Sequence, residues 1–330
     1  MIPCNTDSEH PPHWKKIYAN SFIGAKDLYE NFPALDLSQQ ELQKIDAHFP
    51  VHISGLLINQ LKHDHPALLQ YFPSKQELHN PEGYLEDPVG DVNASLQPGL
   101  IKKYNHRVLL IASNTCPIHC RYCFRKNFPY PSGSPHSHMF SDSLALINND
   151  RTINEVILSG GDPLSLDDNM LEYLISSIEE IEHIHTIRIH TKFPSIYPQR
   201  ITTDFLNTLS KCKLNKVCVF HINHPDEITQ DFCDAVQKIK HTNTTTLNQS
   251  VLLNNVNNNS ETLISLSREL FKAGILPYYL HELDHARGTH HFLVSNKEAQ
   301  DLISEMKAQL PGYLVPKLAK EIPGEASKSY

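Results

Sequence analysis

Three cysteines lie close together in the segment NTCPIHCRYCFR. Cys116, Cys120 and Cys123 form a C-x3-C-x2-C pattern directly after a short apolar run. Three thiolates on a tight loop can bind three irons of a 4Fe-4S cubane, which leaves the fourth iron open for an outside ligand. The spacing therefore predicts an iron-sulfur cluster with one open coordination position.

A structural zinc site is the alternative for these cysteines. Such a site normally takes four protein ligands, usually from two paired C-x2-C knuckles. His119 is wedged between two of the cysteines and is expected to be a loop side chain, so the sequence offers no obvious fourth ligand. Cys212, Cys218 and Cys233 lie among apolar residues, and we interpret them as small core residues.

A second loop with chemical potential follows the next apolar run, in LSGGDPL. Gly160 and Gly161 would let the backbone approach a ligand closely, and Asp162 would supply an anionic partner. Taken alone, the same residues are typical of an ordinary strand-to-helix turn. The later strand ends carry His190, His221, His224 and Asp284.

Short apolar runs alternate with amphipathic stretches from Arg107 onward. Six strand-helix units in series predict a parallel sheet, either open and doubly wound or closed fully or partly into a barrel. In both forms ligands bind at the carboxyl ends of the strands, where the polar residues fall. The predicted strands are 107–112, 155–159, 186–190, 216–222, 245–253 and 275–280.

The first hundred residues are Pro-rich and mostly helical in pattern. Ser38 and Glu41 form a capping box, and Leu56, Leu57 and Leu61 indicate a further helix. Residues 80–99 hold turn residues and little periodicity, which is typical of a connection. We therefore predict a helical region with a connection over 1–100 and an α/β unit over 101–330.

The composition describes an ordinary globular chain of 330 residues. Its net charge of -8 and lack of a basic block argue against nucleic-acid binding. No apolar run is long enough to cross a bilayer, and the first sixteen residues lack the apolar core of a secretory signal. We therefore expect a cytoplasmic protein. Seven cysteines make an odd count, and three of them within eight residues in a reducing compartment indicate metal binding rather than disulfides.

Two thirds of the chain, from Tyr104 to Tyr330, resembles the lysine 2,3-aminomutase family of the radical S-adenosylmethionine (SAM) superfamily. The branch that makes β-lysine for modifying elongation factor P is the most similar. The resemblance implies a partial (β/α)6 barrel. The stretches that carry it are HRVLLIASNTCPIHCRYCFR, VILSGGDPL, IRIHTKFPSIYPQRIT, HINHPDEIT, LNQSVLLNNVN, PYYLHELDHARGTHHF and GYLVPKLAKEIPGEASK.

The resemblance implies two cofactors besides the cluster. SAM would bind the open iron, and pyridoxal 5'-phosphate (PLP) would form a Schiff base with Lys328 in GEASKSY, which otherwise reads as a solvated tail residue. Arg107 matches an arginine that contacts the PLP phosphate, while Tyr104 and Lys103 lie at nearby family positions. The residues implied to hold SAM are Gly160, Gly161, Asp162, His221 and Gln249.

The resemblance also implies conversion of L-α-lysine to (R)-β-lysine. Arg125 matches the arginine that binds the substrate carboxylate, and Asp284 and Glu321 match two carboxylates that bind the distal ammonium. Two anions suit one cation in a dry pocket. The alternative for Glu321 is a surface ion pair with Lys317 or Lys320.

The implied partners are free lysine, a reductant such as flavodoxin or ferredoxin, and, functionally, elongation factor P with its lysyl ligase. A homo-oligomer is left open. A zinc-linked oligomer is not expected, because the cysteine-bearing tail of clostridial members has no counterpart after Lys328. Two rival functions are an aminomutase for another amino acid and a non-catalytic, metal-stabilised protein that binds elongation factor P.

Overall fold

The computed structural model describes residues 12–32, 35–62, 64–130, 137–325 and 327–329. Cys4 and most of the segment tested for a secretory signal lie outside these ranges. Within them, no helix combines the length and the apolar character that crossing a membrane requires.

A nine-stranded sheet forms the centre of the fold. Its spatial order runs from β11 down to β3 in the reverse of the chain order. Strands β5 to β11 are parallel, whereas β3, β4 and β5 pair antiparallel. The strands are β1 (Phe22–Ile23), β2 (Ile53–Ser54), β3 (Ser95–Gln97), β4 (Leu100–Ile101), β5 (Arg107–Ser113), β6 (Glu155–Gly160), β7 (Thr186–Thr191), β8 (Asn215–Phe220), β9 (Thr244–Val251), β10 (Leu276–His281) and β11 (Lys317–Ala319).

Helices connect the parallel strands and cover the sheet. Their apolar faces are buried, as in α6, where Leu171, Leu174, Ile175 and Ile178 all point into the core. The helices are α1 (His13–Ser21), α2 (Ala25–Asn31), α3 (Gln39–His48), α4 (Gly55–Leu61), α5 (Ser137–Asn149), α6 (Asp168–Glu179), α7 (Phe193–Ile196), α8 (Thr203–Lys211), α9 (Gln230–Lys240), α10 (Ser260–Lys272) and α11 (Asn296–Gln309).

The sheet is open, because β3 and β11 remain at its two edges. Side chains from β5, β6, β7, β8, β9 and β10 nevertheless line a single cavity, so the parallel strands curve around it. The expected α/β fold with a partial barrel of parallel strands is confirmed. The predicted boundary near residue 100 stays a prediction. Strand β3 lies before this boundary, and both β3 and β4 belong to the main sheet.

The N-terminal region, defined here as residues 12–80, is mostly helical and packs on the sheet. The capping box at Ser38 and Glu41 is present at the start of α3, and the leucine pattern in 56–61 is α4. Trp14 lies in the same buried core as strands β5 to β8 and stacks edge-on against Phe193 at 5.3 Å. Cysteines 212 and 218 are buried in that core, as predicted.

Candidate active site

One cavity of about 290 Å³ lies at the carboxyl ends of the parallel strands. Its volume is near the lower end of the range for small-molecule sites. His224, noted at a strand end, does not line it. The residues predicted to hold the cluster, the cofactors and the substrate all do: Tyr104, Arg107, Cys116, Cys120, Cys123, Arg125, Gly160, Gly161, Asp162, His221, Gln249, Asp284, Glu321 and Lys328.

The three clustered cysteines lie in the loop that leaves β5. Burial raises the pKa of Cys120 to about 12 and also raises the pKa values of Cys116 and Cys123. Buried thiols of this kind become thiolates when a bound metal stabilises the negative charge. Their protonation chemistry therefore fits a metal centre rather than free nucleophiles.

The distances between the three sulfurs help to distinguish a zinc site from an iron-sulfur cluster. In this loop, all of which the structure describes, the three sulfurs do not all lie within 4.8 Å of one another. Cysteine ligands of one tetrahedral zinc ion lie about 3.8 Å apart, given zinc-sulfur bonds of about 2.3 Å. A cluster in which each cysteine binds a different iron spreads the sulfurs further, so a separation above 4.8 Å disfavours a single zinc ion.

Gly160 and Gly161 bring the end of β6 against the segment that leads into the cysteine loop. A Cβ on Gly160, whose φ is +122°, would lie 2.3 Å from the carbonyl oxygen of Ser113. A Cβ on Gly161 would lie 2.4 Å from the carbonyl oxygen of Thr115. The glycines therefore permit close packing of two backbone segments under the cavity, in addition to leaving its wall free of side chains.

Asp162 has a structural task that its sequence motif does not reveal. Its buried carboxylate accepts hydrogen bonds from Leu164 N at 2.9 Å, Thr191 Oγ1 at 2.8 Å, Lys192 N at 2.7 Å and Phe193 N at 3.0 Å. These bonds join the end of β6 to the end of β7 and the start of α7. The carboxylate is thus engaged by the protein, and its predicted contact with SAM stays a prediction.

Gln249 joins two histidines at the base of the cavity. Its Nε2 lies 3.2 Å from Nε2 of His221 and 3.4 Å from Nδ1 of His190. Burial lowers the pKa of His221 to about 3 and lowers those of His190 and His281 well below their ordinary value. The rings are therefore neutral, and Nε2 of His190 is buried without a hydrogen-bond partner among the described residues.

A chain of opposite charges runs along one wall of the cavity. Nε of Arg125 lies 2.6 Å from Oδ2 of Asp91, and Nζ of Lys103 lies 2.6 Å from Oδ1 of the same carboxylate. Lys103 continues to Oε1 of Glu321 at 3.2 Å, and Oε2 of Glu321 lies 2.9 Å from Nζ of Lys328. The predicted carboxylate-binding arginine and the predicted Schiff-base lysine are thus connected through charged side chains.

The two predicted ammonium-binding carboxylates have different surroundings. Burial raises the pKa of Asp284 to about 7, against the opposing charge of Lys328. For Glu321, burial is outweighed by the charges of Lys328 and Lys103, which hold its pKa at about 2. Glu321 is also 11% exposed and accepts a 2.7 Å bond from Tyr104, so the alternative of a surface ion pair is wrong.

Arg107 lies in the same cavity wall as Lys328. Its guanidinium lies over the ring of Tyr104, 4.4 Å from the centroid. This stacking fixes the plane of the guanidinium at the start of β5, and no described residue occupies its fork, which can therefore bind an anion in the cavity.

Comparison with known proteins gives the family. A 4Fe-4S single cluster domain family matches residues 105–212. The chain is 41% identical to L-lysine 2,3-aminomutase of Haemophilus influenzae, over 100% of this chain and 98% of that protein. It is also 41% identical to the Escherichia coli protein of that name, over 81% and 78% of the two chains, and 34% identical to that of Clostridium subterminale, over 85% and 67%.

The chain belongs to the lysine 2,3-aminomutase family. It is therefore a radical SAM isomerase with a 4Fe-4S cluster. The three cysteines that line the cavity are the thiols available for that cluster, and SAM is its second cofactor.

Sequence reasoning missed several residues of this family member's cavity. Asp91 lies in the segment interpreted as a connection, where Gly90 with a φ of +71° turns the chain toward the sheet. The turn composition of DPVGD was the one available signal, and it carries no information about a distant partner such as Arg125. His190 was noticed at a strand end but was not assigned, and His281, at the end of β10, lies within the PYYLHELD stretch but received no role.

Proposed function

We propose that the chain is a PLP-dependent aminomutase that converts L-α-lysine to (R)-β-lysine. The observation that carries the proposal is the shared cavity of the three cysteines, Lys328, Arg125 and Asp284. It combines an amine that can form a Schiff base, a cation for a carboxylate and a carboxyl group for an ammonium. When bound, the cluster with SAM supplies a 5'-deoxyadenosyl radical, and PLP supplies the conjugated ring that lets the amino group migrate.

Arg125 is the proposed partner of the substrate carboxylate. Its Nε is already held by Asp91, and its Nη1 lies 3.3 Å from Oγ of Ser159. These two contacts fix the orientation of the guanidinium, so that its remaining N–H groups can bind a carboxylate in a forked geometry. Asp91 is therefore a positioning residue for Arg125.

Asp284 is the proposed partner of the distal ammonium. A carboxyl group with a pKa of about 7 is partly neutral near pH 7, and an ammonium beside it favours the ionised form. A substrate with an acidic side chain would instead bring a second negative charge against Asp284 and Glu321. The electrostatics of the cavity therefore favour lysine over glutamate.

Glu321 is proposed to join Asp284 when Lys328 changes its charge. In the structure Oε2 of Glu321 is engaged by the Lys328 ammonium, while Oε1 is held by Lys103 and Tyr104. When Lys328 no longer carries a free ammonium, Oε1 keeps its partners and Oε2 becomes free to accept from another cation. This exchange of partners at Oε2 provides the second carboxylate for the distal ammonium of the substrate.

The proposed SAM-binding side is the one formed by Gly160, Gly161, His221 and Gln249. Neutral histidines and an amide can donate or accept without adding charge next to a sulfonium group. Nε2 of His190, which is buried and has no partner in the part of the chain that the structure describes, adds one more group that a ligand would satisfy. These features support the assignment of this side to SAM.

Anaerobic reconstitution with iron, sulfide, PLP and SAM, followed by chromatography of lysine products, tests the proposal. We expect β-lysine, with (R) stereochemistry on a chiral column. Glutamate and ornithine are run in parallel as competing substrates. Absence of β-lysine from protein with verified cluster and PLP would refute the substrate, and turnover of another amino acid would replace it.

The cellular setting is proposed from the sequence resemblance. The CRYCFR and PYYLHELD stretches support a role in supplying β-lysine for elongation factor P through a separate ligase. Free thiols support a reducing cytoplasm, and the resemblance implies flavodoxin or ferredoxin as the reductant. Mass spectrometry of elongation factor P in cells with and without the gene tests this role, because its loss would remove the β-lysyl mass.

A further inference from the structure

The cysteine loop depends on the N-terminal region for its backbone conformation. No helix or strand lies in residues 114–130, all of which the structure describes. The amide of His119 donates to the carbonyl of His52 at 2.9 Å, and the amide of Arg121 donates to the carbonyl of Gln70 at 2.8 Å. These two bonds flank Cys120, so the N-terminal region holds the loop on both sides of the middle thiol.

Side chains beside the cysteines also point toward the N-terminal region. Nδ1 of His119 lies 2.8 Å from the carbonyl oxygen of Pro50, and its ring stacks on Phe49 at 4.7 Å. The hydroxyl of Tyr18 donates to the carbonyl oxygen of Cys116 at 3.4 Å. His119 is therefore turned away from the sulfurs, and the first cysteine is also in contact with the N-terminal region.

Arg121 makes the strongest of these contacts. Its side chain is fully buried, and it meets both oxygens of Glu77, with Nη2 lying 2.6 Å from Oε2. Nη1 donates to the carbonyl oxygens of Phe49 at 3.0 Å and Pro50 at 3.3 Å. Glu77 is 5% exposed and lies in the 3-10 helix Lys75–Leu78. Its Oε2 also lies 3.7 Å from Nζ of the buried Lys126, so three charges are buried together.

A buried ion pair of this kind is a poor source of stability but a strong constraint on geometry. Desolvation offsets most of its attraction, whereas removal of one partner leaves an uncompensated buried charge. The pair therefore disfavours every loop conformation that moves Arg121 away from Glu77. Cys120 and Cys123 are the neighbours whose positions this constraint fixes.

We propose that Arg121 and Glu77 form a clamp through which the N-terminal region holds the cysteine loop in its ligating conformation. They are positioning residues for the thiols, and they act before the cluster is assembled. A clamped loop keeps a dissociated thiol next to its iron, so that rebinding competes with loss of the metal. This gives the N-terminal region a role in cluster retention that is independent of the identity of the substrate.

Glu77→Gln tests the clamp, with Asp168→Asn as its matched control. Asp168 pairs with another fully buried arginine, Arg200, at 2.7 Å, and neither belongs to the cavity wall. Both variants are expected to lower the urea midpoint. Glu77→Gln alone is expected to speed hydrogen exchange at the amides of His119 and Arg121 in the cluster-free full chain, roughly tenfold for a lost charge-assisted hydrogen bond.

The second measurement is iron release from the anaerobically reconstituted protein to a chelator. We expect release to be roughly tenfold faster in Glu77→Gln and unchanged in Asp168→Asn, with the reduced-cluster electron paramagnetic resonance signal recorded alongside. Arg121→Lys keeps the charge but loses the fork to Phe49 and Pro50, so it should fall between wild type and Glu77→Gln. If Glu77→Gln does not fold, the iron-release rate of Arg121→Lys is compared with that of wild type and tests the clamp by itself.

Two results would overturn the clamp. One is an iron-release rate that is equal in wild type and in every folded clamp variant. The other is an equal increase of exchange and release in Asp168→Asn, since that would trace the effect to general loss of stability.

Discussion

Nζ of Lys328 lies 2.9 Å from Oε2 of Glu321 because the chain folds back on itself after β11. Lys320 and Ser329 exchange two backbone hydrogen bonds of 3.0 Å, and Gly324 with a φ of +84° lies in the turn between them. The turn places the amine against a carboxylate that is itself fixed by Lys103. Lys328, whose side chain is 23% exposed, is thereby held against Glu321 in the cavity wall rather than free in solvent.

Lys328→Ala is expected to abolish β-lysine formation and covalent attachment of PLP. Without its amine no Schiff base can form, although the cavity and the cluster cysteines are unchanged. Borohydride reduction followed by mass spectrometry measures the attachment directly. Lys320→Ala is the control, since Lys320 lies on the surface near Glu282 and should keep both properties. A PLP adduct that persists in Lys328→Ala would refute the assignment.

Asp284 should give the reaction a pH dependence. Its pKa of about 7 is raised by burial, so the carboxyl group is protonated below pH 7 and cannot pair with an ammonium. We expect kcat/KM for lysine to fall about tenfold per pH unit on the acid side of this pKa, because kcat/KM reports the free enzyme. The measurement is initial rate against pH at constant ionic strength.

Asp284→Asn tests whether Asp284 causes the decrease of kcat/KM at acid pH, which is called the acid limb of the pH profile. The amide cannot ionise, so the variant should have a lower kcat/KM and no limb attributable to this group. An acid limb of unchanged position in Asp284→Asn would assign the titration to another residue.

Asp91→Asn should weaken both lysine binding and folding. Asp91 is 1% exposed and is shared by Arg125 and Lys103, so the substitution leaves two cations near a neutral amide. Breaking a buried pair of this kind costs about 3–5 kcal/mol of unfolding free energy. Because Arg125 loses its orientation, KM for lysine should rise more than kcat falls. Urea unfolding and steady-state kinetics give the two quantities.

Asp150→Asn provides the comparison for Asp91. Asp150 pairs with Lys102, which neighbours Lys103, but the pair is partly exposed and lies outside the cavity wall. A pair with this exposure contributes about 0–1 kcal/mol, and its loss should leave KM unchanged. Equal effects of the two substitutions on KM would contradict a positioning role for Asp91.

The parallel strands could be predicted because their signal is local. Strands β5 to β8 begin within one residue of the apolar runs that predicted them, since the residues that each strand buries are mostly apolar and close together in sequence. Strands β4 and β11 have two and three residues and are fixed by pairing with neighbours already in place. Nothing in their own residues distinguishes them from a connection.

The residues of the site can likewise be divided into those with a local sequence signal and those whose roles depend on distant partners. Cysteine spacing predicts chemistry from residue types alone, because the three ligands lie on one loop. The roles of Asp91 and Arg121 come from partners 34 and 44 residues away, so no local pattern contains them. Asp162 combines both kinds of signal, since its local motif predicts ligand binding while its carboxylate also bonds the end of β7 and the start of α7.

Gly160→Ala should disrupt the junction between the cysteine loop and β6. The substitution places a Cβ 2.3 Å from the carbonyl oxygen of Ser113 at a φ of +122°, so both backbone strain and overlap oppose it. Together these cost about 3 kcal/mol, and relief requires the end of β6 to move away from Ser113. Gly312→Ala is the control, because its Cβ meets no atom within 4 Å. We expect a lower urea midpoint and less iron per chain in Gly160→Ala alone; equal values in both variants would show that the junction tolerates a side chain.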